Sequence, residues 1–333
     1  MIARFAIPFF LLMTLIVVPL GLALLFRFML PRKVWRKTVL ACTLLIWVLT
    51  GYGFLFGFQK FEVRHVEYAS ADLPEAFDGY RIVQFSDAHI ASMTEWMVQR
   101  AIDSINAQKA DAVVFTGDMQ NVWPDELPPQ APYIRQLKAK DGVFAVLGNH
   151  DYDVYQNGDE AEKAANCEKT IRNMRDMGFD LLLNEHRIIR RDSDSIVIAG
   201  MENWGVVKRM PRKGAVRQTL SNPFSLHLPP STEHRSPSTF IVMLQHDPTC
   251  WREKILPECH AQLTLSGHTH GGQVSIFGWS PVELKYQEWG GLYQEGDRAL
   301  YVSTGLGALI PFRLGQPGEI VVITLRAKAL NDN

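Results

Sequence analysis

Five short polar clusters stand at the ends of apolar runs: Asp87-Ala88-His89, Gly117-Asp118-Met119-Gln120-Asn121, Gly148-Asn149-His150-Asp151, His246, and Gly267-His268-Thr269-His270. Together they offer carboxylate, amide and imidazole groups, the donors that divalent metal ions take from proteins. The imidazole share favours Mn, Fe or Zn over Mg, which prefers oxygen. One Asp-x-His alone is a weak signal, because a strand-end Asp commonly serves a turn and a lone His commonly sits on a surface or in a satisfied core. Five such clusters in one chain point instead to two divalent cations. A pair of this kind clamps phosphoryl oxygens and lowers the pKa of a shared water, which is the chemistry of hydrolysis at phosphorus.

Residues so far apart in sequence meet only if the elements before them end in one place. Short apolar runs precede the clusters and recur along the chain at 81–85, 112–116, 143–147, 196–200, 240–245, 261–266, 300–303 and 320–325. Near-continuous apolar strands are expected where both faces of a sheet are covered. Stripes at helical spacing, Val98-Ile102-Ile105 and Cys167-Ile171-Met174, lie between some of them and read as core-facing helices. Strands alternating with helices predict a layered α/β domain. The later strands have fewer helices between them, so part of the sheet is expected to be antiparallel. In open α/β sheets ligands gather beyond the carboxyl ends of strands, where all five clusters fall. Gly117, Gly148 and Gly267 each precede a candidate ligand and permit close backbone approach.

The chain has 333 residues, 34 Lys+Arg and 35 Asp+Glu, a balance that gives no general argument for nucleic-acid binding. The charge is unevenly placed. Residues 5–26 and 38–58 carry none, and each run matches the ~20 residues that cross a hydrocarbon core. Between them, 27–37 holds Arg27, Arg32, Lys33, Arg36 and Lys37. Basic loops stay cytoplasmic, so two spans over 1–58 predict a cell-membrane protein whose large domain is extracytoplasmic; a cleaved signal peptide in the first run is the competing reading. Residues 59–79 read as a connector and 80–328 as a single catalytic domain with length enough for one sizeable core. Cys42, Cys167, Cys250 and Cys259 form no paired-Cys zinc pattern. Cys250 and Cys259 read as small buried side chains, with a disulfide as the alternative. The irregular stretch 204–237, with Lys208, Arg209, Arg212, Lys213 and Arg217, reads as a solvated insertion, or else as a cationic flap for a phosphate or an anionic bilayer.

The order Asp-x-His, Gly-Asp-x-x-Asn, Gly-Asn-His-Asp, isolated His and Gly-His-x-His resembles the calcineurin-like metallophosphoesterase superfamily over roughly residues 78–328. The run Gly-His-Thr-His-Gly-Gly-Gln at 267–273, with Tyr301-Val-Ser-Thr-Gly-Leu-Gly and Ile310-Pro-Phe-Arg313, is similar to a membrane-associated bacterial branch that includes enzymes cleaving UDP-2,3-diacylglucosamine. Pro317-Gly318-Glu319 departs from the Pro-Glu pair expected there. The resemblance implies a four-layer αββα sandwich behind two transmembrane helices. It assigns Asp87, His89 and His270 to one metal and Asn149, His246 and His268 to a second, with Asp118 bridging and Asn121 bracing. His150 would face the substrate as an acid, and Asp151 would orient an imidazole or cap the loop. The expected function is membrane-anchored hydrolysis of a phosphodiester or pyrophosphate, with a lipid-linked phosphoester as substrate. Competing readings are a protein phosphatase and a non-catalytic metal-binding scaffold on the membrane. An outward domain conflicts with a UDP-lipid, which is handled in the cytoplasm; a headgroup, wall polymer or periplasmic phosphoester suits that topology better.

Overall fold

Alternation along the strands decides the layers. Ile82 points to one side of its strand and Val83 and Phe85 to the other, as a side-chain period of two requires. The computed structural model describes residues 2–221 and 239–328. Its strands are β1 (Phe61–Ser70), β2 (Arg81–Phe85), β3 (Ala112–Phe115), β4 (Gly142–Ala145), β5 (Asp180–Leu181), β6 (Glu185–Arg191), β7 (Asp194–Gly200), β8 (Phe240–Leu244), β9 (Leu263–Ser266), β10 (Gly291–Glu295), β11 (Arg298–Val302) and β12 (Gly318–Ala327). They form two six-stranded sheets, ordered β1-β12-β2-β3-β4-β5 and β10-β11-β9-β8-β7-β6. Both sheets are mixed: β12–β2, β6–β7 and β10–β11 are antiparallel and the other pairs parallel.

The sheets pack face to face. Ile82, Val114, Phe144 and Val321 of the first meet Val242, Leu244, Leu265 and Tyr301 of the second. The outer face of the first sheet, with Val83, Phe85 and Phe115, lies under helices Glu95–Ala107 and Glu160–Asp176. The outer face of the second, with Ile241, Met243 and Leu300, is covered by Val216–Leu220 and the turn around Trp251. This is the αββα order that the resemblance implied. The Glu95–Ala107 helix starts where Thr94 accepts the Met97 N–H, and it buries Val98, Ile102 and Ile105, each contributing about 1.5–3 kcal/mol. The other helix opens on an Asp159–Glu162 capping box.

Within 59–79 the chain forms β1, which pairs with β12 in parallel from Phe61↔Gly318 to Ser70↔Ala327 and so belongs to the first sheet. Two helices before it, Phe5–Met29 and Arg32–Gly57, are long and apolar enough to cross a membrane. They meet the domain through aromatic packing: the Phe312 ring lies 4.8 Å from Phe10 and 5.3 Å from Phe54. Gly53 and Gly57 allow this approach, since a Cβ on either would overlap the Phe312 ring or the Arg313 carbonyl. All four cysteines are free thiols, and Cys250 and Cys259 are buried. In the basic stretch, Arg212 lies over the Trp204 ring and Lys213 over Tyr152, so these two cations are held against the domain. The part at 222–237 lies outside the described residues.

Candidate metal centre

Both sheets contribute to one crevice. Asp87 and His89 follow β2, Asp118 follows β3, and Asn149 and His150 follow β4, three adjacent strands of the first sheet. His246 follows β8, and His268 and His270 follow β9, adjacent strands of the second. The chain turns sharply at these points. Asp87, His89, Asp118, His268 and His270 all have positive φ, between 40° and 74°. Non-glycine residues rarely adopt this conformation, and such strained backbone tends to cluster at active sites. Gly117 and Gly148 let the β3 and β4 loops touch: a Cβ on Gly117 would strike the Gly148 backbone, and one on Gly148 the Asp118 carboxylate.

The candidate ligands converge in two groups around Asp118. On one side His89 Nε2 is 3.2 Å from His270 Nε2 and 3.8 Å from Asp118 Oδ2, and His270 Nε2 is 3.4 Å from Asp87 Oδ1. On the other, His246 Nε2 lies 3.2 Å from Asp118 Oδ2, 3.2 Å from Asn149 Oδ1 and 3.3 Å from His268 Nδ1. His246 Nδ1 donates to the Thr116 carbonyl at 2.7 Å, which turns Nε2 toward the Asp118 and Asn149 oxygens. Positive charge between these atoms, a proton on Nε2 or a metal ion in its place, makes such an arrangement favourable, so the donor set fits divalent cations.

The electrostatics divide the imidazoles. Burial pushes His89 well below the usual imidazole range, with His150 and His270 adding to it, and burial brings His270 down to about 4. Neutral imidazoles are the form that binds metal. Burial acts against a charge on His246, yet the Asp118 carboxylate overrides it and raises His246 to about 10, so a metal ion binding at Nε2 would displace a proton held there. Asp118 is in turn held well below the carboxylate range; its burial is outweighed by His246, His150 and His89.

His150 stands at the rim, half-buried, with its Nδ1 donating to the Asn121 carbonyl at 2.6 Å and its ring against Tyr155. Its backbone N–H donates to Asp118 Oδ1 at 2.8 Å. Asn121 braces the loop from behind, its Oδ1 accepting the Ala91 N–H at 3.2 Å. Asp151 is fully buried and accepts the N–H groups of Gly148, Asp118, Met119 and Gln120 at 2.9–3.2 Å. Of the two roles open to it in the sequence, the geometry matches the loop cap. Its carboxylate is spent on backbone and tied to no imidazole.

Several residues that matter here escaped sequence reasoning. His268 Nε2 is 3.0 Å from the Tyr286 hydroxyl and 3.8 Å from the buried Asp247 carboxylate. Asn149 Nδ2 donates to Tyr155 at 2.9 Å. Glu126 gathers the N–H groups of Asn121, Val122 and Trp123. Arg313 is buried, and its Nη2 donates to the carbonyls of Thr304, Gly305 and Gly307 at 2.7–3.0 Å. The only sequence signals were Asp247 directly after His246, and Arg313 closing a run already noted for its likeness to a family branch.

A strained crevice of Asp, Asn and His at the strand ends of an αββα sandwich defines a metal-dependent phosphoester hydrolase. The chain belongs to the calcineurin-like phosphoesterase family, whose model matches residues 80–272. It is 30% identical over 289 residues to the uncharacterized metallophosphoesterase YkuE of Bacillus subtilis, covering 83% of this chain and 90% of that protein. It is 29% identical over 304 residues to a transmembrane protein with metallophosphoesterase domain of Danio rerio, covering 88% of this chain but only 63% of that one. Among solved structures, the NAD nucleotidase of Haemophilus influenzae aligns over 69% of this chain and 45% of that one, with 13% identity and a TM-score of 0.44.

Proposed function

We propose that this protein is a membrane-anchored phosphoesterase that uses two divalent cations to hydrolyse a phosphodiester or pyrophosphate bond of a lipid-linked substrate. One observation carries the reading: the Asp118 carboxylate stands between two imidazole groups, with Oδ2 3.2 Å from His246 and 3.8 Å from His89. Asp87, His89 and His270 would hold one ion, Asn149, His246 and His268 the other, and Asp118 both. When bound, the ions would supply charge for the phosphate oxygens and acidify an attacking water. The chain's own groups would do the rest. His150, oriented by its bond to Asn121, turns Nε2 away from that bond and, when protonated, would give its proton to the leaving oxygen. Asp151 would hold the loops of Asp118 and Asn149 in register through four N–H groups.

The two apolar helices support the anchoring, as does the likeness to the Danio rerio transmembrane protein. The basic residues between them favour an extracytoplasmic domain. The test is turnover of bis-p-nitrophenyl phosphate by the full chain in detergent. Activity should appear with added Mn²⁺ and vanish with a chelator; no turnover with any of Mn²⁺, Fe²⁺ or Zn²⁺ would end the proposal. A periplasm-only reporter fused after Asn333 tests the topology, which an inactive reporter would reverse.

A further inference from the structure

A cleft of about 960 Å³ opens beside the metal centre, near the upper end of the ~300–1,000 Å³ usual for ligand pockets. One wall is the loop carrying Asn121 and Trp123. That wall adjoins the chemistry directly. Asn121 holds His150 through its carbonyl, and Ser92, also in the lining, donates to the His89 carbonyl at 2.7 Å. A second part of the lining is formed by Phe5 and Ile7 of the first apolar helix, with Leu309 and Pro311. Packing of Phe10 on Phe312, one residue past Pro311, fixes that part in place.

The chemistry of the lining is divided. Near the metal centre it is amide-rich, and toward the helix it is apolar. Glu126 is its sole charged member among the described residues, and backbone N–H groups occupy its carboxylate. A soluble phosphoester has no use for a wall made by a membrane-crossing helix. A hydrocarbon chain rooted in the bilayer does, because it can follow that helix into the cleft without crossing water. Resting on the membrane-anchored reading above, we infer that this cleft is a hydrocarbon-chain subsite of the catalytic centre. It takes the tail of an amphiphilic phosphoester while the phosphate lies between Asp118 and His150.

The experiment uses the full chain in nonionic-detergent micelles with Mn²⁺ and two phosphodiesters, methyl and octyl p-nitrophenyl phosphate. Each buried methylene gains roughly fourfold, so partial burial of the octyl chain should raise kcat/KM about tenfold or more over the methyl ester. Ile7→Trp and Leu309→Trp fill the cleft from separate segments, and each should bring the octyl-to-methyl ratio toward one. A ratio unchanged in both variants overturns the subsite. Binding is read independently by dodecyl phosphate brominated in mid-chain, which should quench Trp123, about half exposed on the cleft wall at 47%. Trp123→Phe should remove that component of quenching. No difference between Trp123→Phe and the parent chain also overturns the subsite. If neither ester is cleaved and Trp123 is still quenched, the phosphoesterase reading falls while the cleft stands as a hydrocarbon-chain site.

Discussion

Asp151 lies directly behind Asp118: it accepts the Asp118 N–H at 2.9 Å, while the Asp118 side chain accepts the His150 N–H at 2.8 Å. One buried carboxylate thus sets the backbone of another that faces two imidazole groups. Asp151→Asn keeps the volume and gives up acceptor capacity to four N–H donors. Removing such a partner behind a metal ligand typically costs about 10–100-fold in metal affinity or activity. The loss should appear as a higher Mn²⁺ concentration for half-maximal rate. An unchanged Mn²⁺ dependence would show that the β3 and β4 loops hold their register without it.

Asp118 and His150 should separate cleanly. Asp118→Asn removes the charge shared by both ligand groups, so metal analysis should find both ions depleted and turnover absent. Two full equivalents of metal in that variant would contradict the bridging role. His150→Ala leaves the ligands in place; it should retain metal and lose about 10²–10⁴-fold in kcat. Full kcat there would take His150 out of the reaction.

How the sequence relates to the fold is clearest at the strands. The eight apolar runs named from sequence alone correspond to β2, β3, β4, β7, β8, β9, β11 and β12. The strands it missed, β1, β5, β6 and β10, are the four sheet edges. An edge strand has a sheet neighbour on one side only, so its composition is free to be polar, as in Glu185-His-Arg-Ile-Ile-Arg-Arg and Gly291-Leu-Tyr-Gln-Glu. The candidate metal centre was legible because each candidate ligand loop announces itself with Gly, Asp, Asn or His after an apolar run. Its supports were not, because Tyr286, Asp247 and Arg313 act through contacts distant in the chain or through burial, which no local pattern encodes.

Arg313 joins the N-terminal apolar helices to the candidate ligand loops. Its backbone N–H donates to the Gly53 carbonyl at 3.2 Å, and its guanidinium binds the loop in which the Gly307 N–H holds the Asp87 carbonyl at 2.9 Å. Burial brings its pKa down to about 10, against the pull of Asp87 and Glu319, so it stays charged at neutral pH. Arg313→Met would leave buried carbonyls without their donors. Leaving a buried acceptor unsatisfied costs about 1–3 kcal/mol. The thermal inactivation midpoint should fall and metal should bind more weakly. Arg313→Lys, which keeps charge without the planar fork, should fall between the two. A midpoint equal to the parent chain in both variants would deny Arg313 this role.

Asp111 tests the opposite end of the sandwich, away from the metal chemistry. Its Oδ2 accepts the Arg81 N–H at 2.8 Å, and its Oδ1 meets Lys140 Nζ at 2.8 Å and, from the second sheet, Arg191 Nη2 at 2.9 Å. Burial pulls its pKa upward, but Lys140, the Arg81 N–H and Arg191 outweigh it and hold the carboxyl below its ordinary 3.8. A carboxylate lowered by folding stabilises the native state fully above its unfolded value and loses that contribution as pH falls through the folded value. The window therefore lies below about pH 4. Asp111→Asn removes the titration, so the parent chain's lead over the variant in urea midpoint should be full near about pH 6 and shrink toward about pH 3. A lead that is the same at both pH values would mean that the charge on Asp111 does not help join the sheets.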